Sequence, residues 1–232
     1  MALRAVILDM GGTLIDYPVS LPQAGAFFET HLDKTGLSLE ALRDMVNHYA
    51  ISRKRGLDTL KEATFVDALR HSADINDLKL ARWERMEILN RLFEIAFRNV
   101  SSLIPGAKEL LSYVKSRGIP IGLISNTAWP GKFHEQDLRR FGILDYFDIK
   151  IWSSDEGIRK PHKALFLKAL GSLGADSLEA VYIGDTYSRD VEGPNSVGIP
   201  AIWITNEQPK DIFVGWRAKD LFEVKDILSK IE

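Results

Sequence analysis

The chain contains no cysteine, so disulfides, thiolate nucleophiles and cysteine-based zinc sites are excluded. It also lacks any long apolar run. No window approaches the roughly 18 residues that a membrane span requires. The stretch Ala5-Val6-Ile7-Leu8 is too short for a secretion signal and runs straight into Asp9. Nor does one charge dominate: 30 basic residues face 32 acidic ones, for a net charge of −2. Without a dense basic block, neither nucleic acid nor a membrane is expected as a partner. The short run Arg53-Lys54-Arg55 reads as a solvated helix end. A soluble cytoplasmic protein is the expectation, and its oligomeric state is left open. With 232 residues, 45% of them hydrophobic, the chain is long enough for one sizeable core and a smaller module.

Short apolar runs ending in small or polar residues recur along the chain. Residues 5–8 lead into Asp9, 119–124 into Ser125-Asn126, 147–152 into Ser153-Ser154, 181–183 into Gly184-Asp185, and 201–204 into Thr205. Helical patterns lie between them, including 106–117 with Gly118 after it, and 163–173 with Gly174 after it. This alternation predicts an α/β fold, a Rossmann-like parallel sheet covered on both faces. Ligands bind beyond the carboxyl ends of such strands, so the polar residues there become site candidates as a group.

Residues 18–101 break the rhythm. Phe27, Phe28 and Leu32 recur at helical spacing, as do Leu39, Leu42, Met45 and Tyr49. Phe65 and Leu69 mark a shorter helix, and Leu80, Trp83, Leu89, Leu92 and Ala96 a longer one. The expected organisation is an α/β core of 1–17 and 102–232, with a helical bundle of about four helices inserted at 18–101. The aromatics in that bundle read as packing between helices.

Four polar clusters fall at strand ends: Asp9-Met10-Gly11-Gly12-Thr13, Ser125-Asn126, Arg159-Lys160-Pro161, and Gly184-Asp185 followed by Asp190. Together they make chemical sense as a phosphate site. A carboxylate attacks phosphorus only when its own charge and that of the phosphate are neutralised. Asp9 and Asp185, at the same sheet edge, could share one hard cation such as Mg²⁺. Lys160 adds a positive charge, and Ser125 and the amides around Gly11, Gly12 and Thr13 could donate to phosphate oxygens.

These clusters resemble the four motifs of the haloacid dehalogenase-like (HAD) superfamily, and the resemblance covers essentially the whole chain. The family's Asp-x-Asp-x-Thr strand end matches Asp9 and Thr13, and its strand-end Ser/Thr matches Ser125. Its lysine before a helix matches Lys160, and its Gly-Asp-x-x-x-x-Asp acids match Asp185 and Asp190. The insert at 18–101 lies where the family's type 1 helical caps lie. The resemblance implies a hydrolase acting on a phosphorylated small molecule through an aspartyl-phosphate on Asp9. It implies Mg²⁺ held by Asp9, the Gly11 carbonyl and Asp185, with Asp190 orienting Lys160 or a metal-bound water. Gly12, Thr13, Ser125, Asn126 and Lys160 would contact the substrate.

One position departs from the family. Its phosphatases usually carry a second aspartate two residues after the nucleophile, as general acid and base, and this chain has Gly11 there. Asp16, Tyr17, His134 and His162 are substitutes to weigh; Asp16 reads better as part of a hinge, and the histidines as exposed or capping residues. Three alternatives follow within the family. They are a metal-independent 2-haloacid dehalogenase, a phosphonate hydrolase using a cap lysine (Lys34, Lys54, Lys61 or Lys79), and a catalytically impaired binding module. Asp185 argues for the metal-dependent branch. A sugar-kinase or actin-like reading of Asp9 to Thr13 lacks the second domain and second glycine-rich motif it requires.

Overall fold

The computed structural model describes residues 3–17, 21–98, 100–207 and 214–231. Its strands are β1 (Ala5–Leu8), β2 (Ile15–Asp16), β3 (Ser102–Leu103), β4 (Ile121–Ser125), β5 (Ile149–Trp152), β6 (Ala180–Gly184), β7 (Ala201–Ile204) and β8 (Gly215–Ala218). Six of them form one parallel sheet in the order β5-β4-β1-β6-β7-β8. Every residue of β1 is buried, because alternate side chains enter opposite layers. Val6 and Leu8 join the core beneath α6 (Ala107–Ser116) and α11 (Leu221–Ile231). Ala5 and Ile7 join the core beneath α9 (Lys163–Leu173). This is the α/β, Rossmann-like sheet that the alternation of apolar runs predicts.

Where about four helices were expected, the described residues of 18–101 form five: α1 (Leu21–Thr30), α2 (Leu32–Thr35), α3 (Leu39–Thr59), α4 (Phe65–Ile75) and α5 (Arg82–Phe93), the last continuing into a π-helical turn over Glu94–Arg98. Trp83, read as part of the packing stripe of the last helix, is exposed. Ser38 opens α3 by accepting the Ala41 amide, and Thr64 opens α4 by accepting that of Asp67. Their buried faces meet in one cluster containing Phe28, Leu42, Met45, Leu69, Leu89 and Phe93. That cluster also takes in Trp129 and Phe133, which follow β4 in the sheet unit. Phe65 stacks on Trp129 with ring centroids 4.3 Å apart, and Tyr49 stacks on the other side of Phe65 at 4.2 Å. The helical unit therefore completes its core with side chains of the sheet unit.

Two features were not anticipated. The crossings between the units are tied together by β2 and β3, which pair antiparallel with Ile15 opposite Leu103 and Asp16 opposite Ser102. The expected boundary at residue 18 lies outside the described residues. The sixth strand, β8, is an exposed edge whose Gly-Trp-Arg-Ala sequence carries no apolar run to announce it. Among the described residues, no helix is long and apolar enough to cross a membrane.

Because Trp129 joins the two units' packing, truncating it should cost more than a local contact. Trp129→Ala is expected to lower unfolding free energy by about 3–5 kcal/mol in a denaturant titration. A loss below about 1 kcal/mol, the scale of an ordinary point substitution, would show that the shared cluster is not a main support.

Candidate active site

The register of the sheet assembles the site. Leu8 pairs with both Leu123 and Ile183, so β1, β4 and β6 end at one level. Asp9, Ser125 and Asp185 therefore emerge at the same edge, and the Asp9 amide donates to the Ile183 carbonyl at 2.9 Å. Lys160 comes from the loop after β5 and is buried at 2% exposure. Its ammonium donates to Asp9 Oδ1 at 2.8 Å, Asp190 Oδ1 at 2.7 Å and the Tyr182 hydroxyl at 2.8 Å. All three N–H groups are thereby used. Tyr182 passes the bond on to the Ile124 carbonyl at 3.3 Å. Tyr182 was missed in the sequence, although a lone phenol in an otherwise apolar buried strand was a signal.

The acids differ in what remains free. Asp190 has both oxygens engaged, Oδ1 by Lys160 and Oδ2 by the Thr186 amide at 3.0 Å. Oxygens of Asp9, Asp185 and Asp190 lie within 4.8 Å of one another. Burial pushes Asp9 up to about 6 against the pull of Lys160, with Asp190 and Asp185 adding to the rise. Burial, and then Asp190, also lift Asp185 above the ordinary carboxylate range. Crowded, desolvated carboxylates of this kind are a hard-cation donor set. The arrangement leaves Asp9 and Asp185 able to hold such an ion while Asp190 fixes Lys160.

The glycines make this crowding possible. Gly12 has φ +83°, and a Cβ there would stand 2.6 Å from Asp185 Oδ2. A Cβ at Gly184 would meet that of Asp190 at 2.4 Å. The Gly12 amide, expected to contact substrate, instead donates to the Ile15 carbonyl at 2.9 Å. Its contribution is conformational and steric. Asn126, expected to contact substrate, lines the cavity, and its amide clamps the Lys160 backbone, accepting from the N–H at 2.7 Å and donating to the carbonyl at 3.0 Å. The Thr13 hydroxyl oxygen is buried and has no hydrogen-bond partner among the described residues, a capacity left open for another oxygen. Thr13 itself is absent from the wall of the cavity over Asp9, whereas Ser125 is buried in that wall.

A cavity of about 200 Å³ opens over Asp9. Gly11 and Tyr17 form one side, and Tyr49, Arg53 and Glu62 reach in from the helical unit. Arg53, taken from sequence as part of a solvated helix end, is half-buried in this wall. The loop after α3 is stitched to the segment before Lys160. Leu60, left-handed at φ 54°, accepts the Arg159 amide at 2.9 Å, and the Glu62 amide donates to Gly157 O at 3.0 Å. Glu62 also pairs with buried Arg159 at 3.4 Å and accepts from Ser153 Oγ at 2.6 Å.

The substitutes weighed for the missing acid are poorly placed. Asp16 is exposed in β2 and lies outside the cavity wall. His162 caps α9 by accepting the Ala164 amide at 3.3 Å. Tyr17 lies in the wall, but burial holds its hydroxyl well above its ordinary range, and it donates to Asp137 at 3.3 Å. His134, expected to be exposed or capping, is instead buried in the cavity wall, with its ring held neutral. It stacks on Trp152 at 5.3 Å and meets Thr127 Oγ1 at 2.6 Å.

Residues 3–198 match the family of haloacid dehalogenase-like hydrolases, and the chain belongs to that family. It is 30% identical over 204 residues to a phosphoglycolate phosphatase of Yersinia pseudotuberculosis, covering 88% of this chain and 82% of that protein. It is 28% identical over 196 residues to pyrimidine 5'-nucleotidase YjjG of Escherichia coli, covering 81% and 83%. A HAD phosphatase structure from Thermococcus onnurineus matches with a TM-score of 0.61 at 26% identity, over 97% and 98% of the two chains. A 2-haloacid dehalogenase from Pseudomonas syringae shares the fold, with a TM-score of 0.70 at 22% identity over 99% and 100%. The protein is a hydrolase of this family.

Burial holds His134 down to about 3, from an ordinary 6.5. As pH falls below 6.5 the unfolded chain takes up this proton while the folded chain does not, so acid removes stability. Between pH 7 and pH 5 this single group should account for a loss of about 2 kcal/mol. His134→Gln should flatten the stability–pH curve by that amount in denaturant titrations. An unchanged curve would contradict a buried neutral ring.

Proposed function

We propose that the chain is a Mg²⁺-dependent phosphatase of a phosphorylated small molecule, with Asp9 as nucleophile. The charge balance at the sheet edge carries this reading. Three carboxylates converge within 4.8 Å around one buried ammonium. Lys160 is already taken up by Asp9, Asp190 and Tyr182, so the crowded acids still need a cation among them when a phosphoryl dianion arrives, and their oxygens are the donors Mg²⁺ favours. Asp9, Asp185 and the Gly11 carbonyl are the ligands in this account. When bound, the ion offsets charge on the nucleophile and on the phosphoryl oxygens.

Lys160 holds Asp9 Oδ1, which leaves Oδ2 to attack phosphorus. The bond to the leaving oxygen breaks as the Asp9–phosphorus bond forms. Thr13 and Ser125 donate hydroxyls to the phosphoryl oxygens. Water then attacks phosphorus, releasing phosphate and restoring the carboxylate. With glycine at position 11, no side chain there protonates the leaving alcohol or activates that water. In this reading 1–17 and 102–232 form the catalytic unit, and 18–101 form a cap that encloses the cavity.

The phosphoglycolate phosphatase and pyrimidine nucleotidase relatives, by name enzymes of small phosphorylated compounds, support this substrate class. The dehalogenase alternative leaves the converging acids without a purpose. Phosphonate hydrolysis needs a cap lysine at the cavity. Among the described residues, Lys34, Lys54, Lys61 and Lys79 are all absent from its wall.

Turnover of p-nitrophenyl phosphate with and without Mg²⁺ tests the reading, with loss to background expected in Asp9→Asn. Activity retained by that variant, or metal-free halide release from a 2-haloacid, would overturn it. A Cβ at Gly11 would meet nothing nearer than Tyr17 Cδ2 at 3.7 Å, so a side chain fits. Gly11→Asp should raise turnover of alkyl phosphates by about tenfold or more, part of the ~10²–10⁴-fold that general acid–base catalysis supplies. The gain should be smaller for p-nitrophenyl phosphate, whose leaving group departs as an anion. No difference between the two substrates would contradict an absent general acid.

A further inference from the structure

Two guanidinium groups at the catalytic cavity have no carboxylate within ion-pairing distance among the described residues. The cations in its wall are Arg53, Arg159, Lys160 and Arg189. Lys160 is matched by Asp9 and Asp190, and Arg159 by Glu62. Among the described residues Arg53 and Arg189 make no ion pair within 4 Å; Arg53 acts only through space on Glu62 and Arg189 on Asp185, and Arg189 donates to the Thr186 hydroxyl at 2.6 Å. The same four cations, together with Leu57 and Ser188, line a second cavity of about 300 Å³. The two cavities thus share a wall of positive charge. Half-buried arginines without a counter-ion are costly, and an oxyanion placed between them gains charge-assisted, often bidentate, hydrogen bonds.

We propose that the second cavity is an anion subsite, which takes a second anionic group, carboxylate or phosphate, carried on the alcohol part of the substrate. The proposal rests on the phosphatase reading and narrows its substrate class. Thr13, Ser125, Lys160 and the metal site already account for the phosphoryl group. Arg53 and Arg189 line both this cavity and the second one, and neither is needed for those phosphoryl contacts. They also come from different units: Arg53 from α3 of the helical insert, Arg189 from the turn that carries Asp190. A two-headed ligand would therefore bridge the insert and the sheet edge. Its affinity would include the energy of holding them together.

Two measurements test this independently. In the first, kcat/KM is compared for a neutral-tailed alkyl phosphate, a phosphorylated hydroxy acid and an alkyl bisphosphate, all with Mg²⁺. Wild type should prefer the two doubly anionic substrates by about tenfold or more. Arg53→Met should erase the preference, mainly through KM, and Arg53→Lys should restore part of it. A gain for only one of the two doubly anionic compounds supports the subsite and identifies the anion. Equal kcat/KM for all three, or an equal loss on all three in Arg53→Met, overturns it. In the second, calorimetry compares non-hydrolysable propylphosphonate, phosphonopropionate and propylene bisphosphonate on the Mg²⁺-loaded protein. A two-headed advantage of about tenfold that disappears in Arg53→Met supports the subsite. Equal binding of all three overturns it whether or not the protein hydrolyses phosphate. Two-headed binding without any turnover would overturn the phosphatase reading alone.

Discussion

The Lys160 ammonium lies in the interior with hydrogen bonds to Asp9, Asp190 and Tyr182. A lone cation there would lose several kcal/mol of hydration, so the site depends on all three partners being present together. Each comes from a different place: Asp9 from the end of β1, Tyr182 from inside β6, Asp190 from the turn that follows it. The common level of the parallel strands delivers them to one point, and the small residues Gly12 and Gly184 let Asp185 and Asp190 approach. Asn126 fixes the lysine's own backbone from β4's side. The interaction that organises the sheet edge is also the one that holds the Asp9 carboxylate, the proposed nucleophile, through its Oδ1.

The helical insert is joined to this arrangement through the same loop. The Leu60 carbonyl, Glu62 amide and Glu62 carboxylate all engage residues 153–159, just before Lys160. Breaking the buried Glu62–Arg159 pair would strand a charge, which makes the contact specific rather than merely adhesive. The shared aromatic packing of Tyr49, Phe65 and Trp129 lies alongside. Enclosure of the cavity and placement of the lysine are therefore parts of one set of contacts. Arg53 enters from the same helix and brings positive charge to the wall shared by the two cavities.

The parts of this picture legible in the sequence are those governed by local pattern. Apolar runs ending in Asp9, Ser125 and Asp185 define strands whose ends must share an edge, and the helical spacing of 18–101 shows where the sheet is interrupted. Contacts between distant residues were not legible. Glu62 and Arg159 are 97 positions apart, and nothing in Arg53-Lys54-Arg55 shows that its first member turns inward. For Gly12 and Asn126 the sequence suggested substrate contacts, and their hydrogen bonds within the protein could not be read from it. Residue type says what a group can bond, whereas the fold decides that Ile15 and the Lys160 backbone reach them first. β8 escaped because a half-exposed edge strand needs no apolar run.

The account stands on covalent catalysis by Asp9 at a site whose usual proton-transfer partner is replaced by Gly11. Without that partner, neither protonation of an alkyl leaving group nor activation of the water is assisted; with p-nitrophenyl phosphate, whose leaving group needs no proton, the second step is the slow one and a phosphorylated enzyme should accumulate during its turnover. The most direct measurement is acid quenching of the Mg²⁺-loaded protein during steady-state hydrolysis, followed by mass mapping of its peptides. The account predicts a phosphoryl adduct on the peptide containing Asp9 and on no other. A phosphoryl group found on a different side chain, or steady hydrolysis with Asp9 unmodified at every quench time, would contradict it.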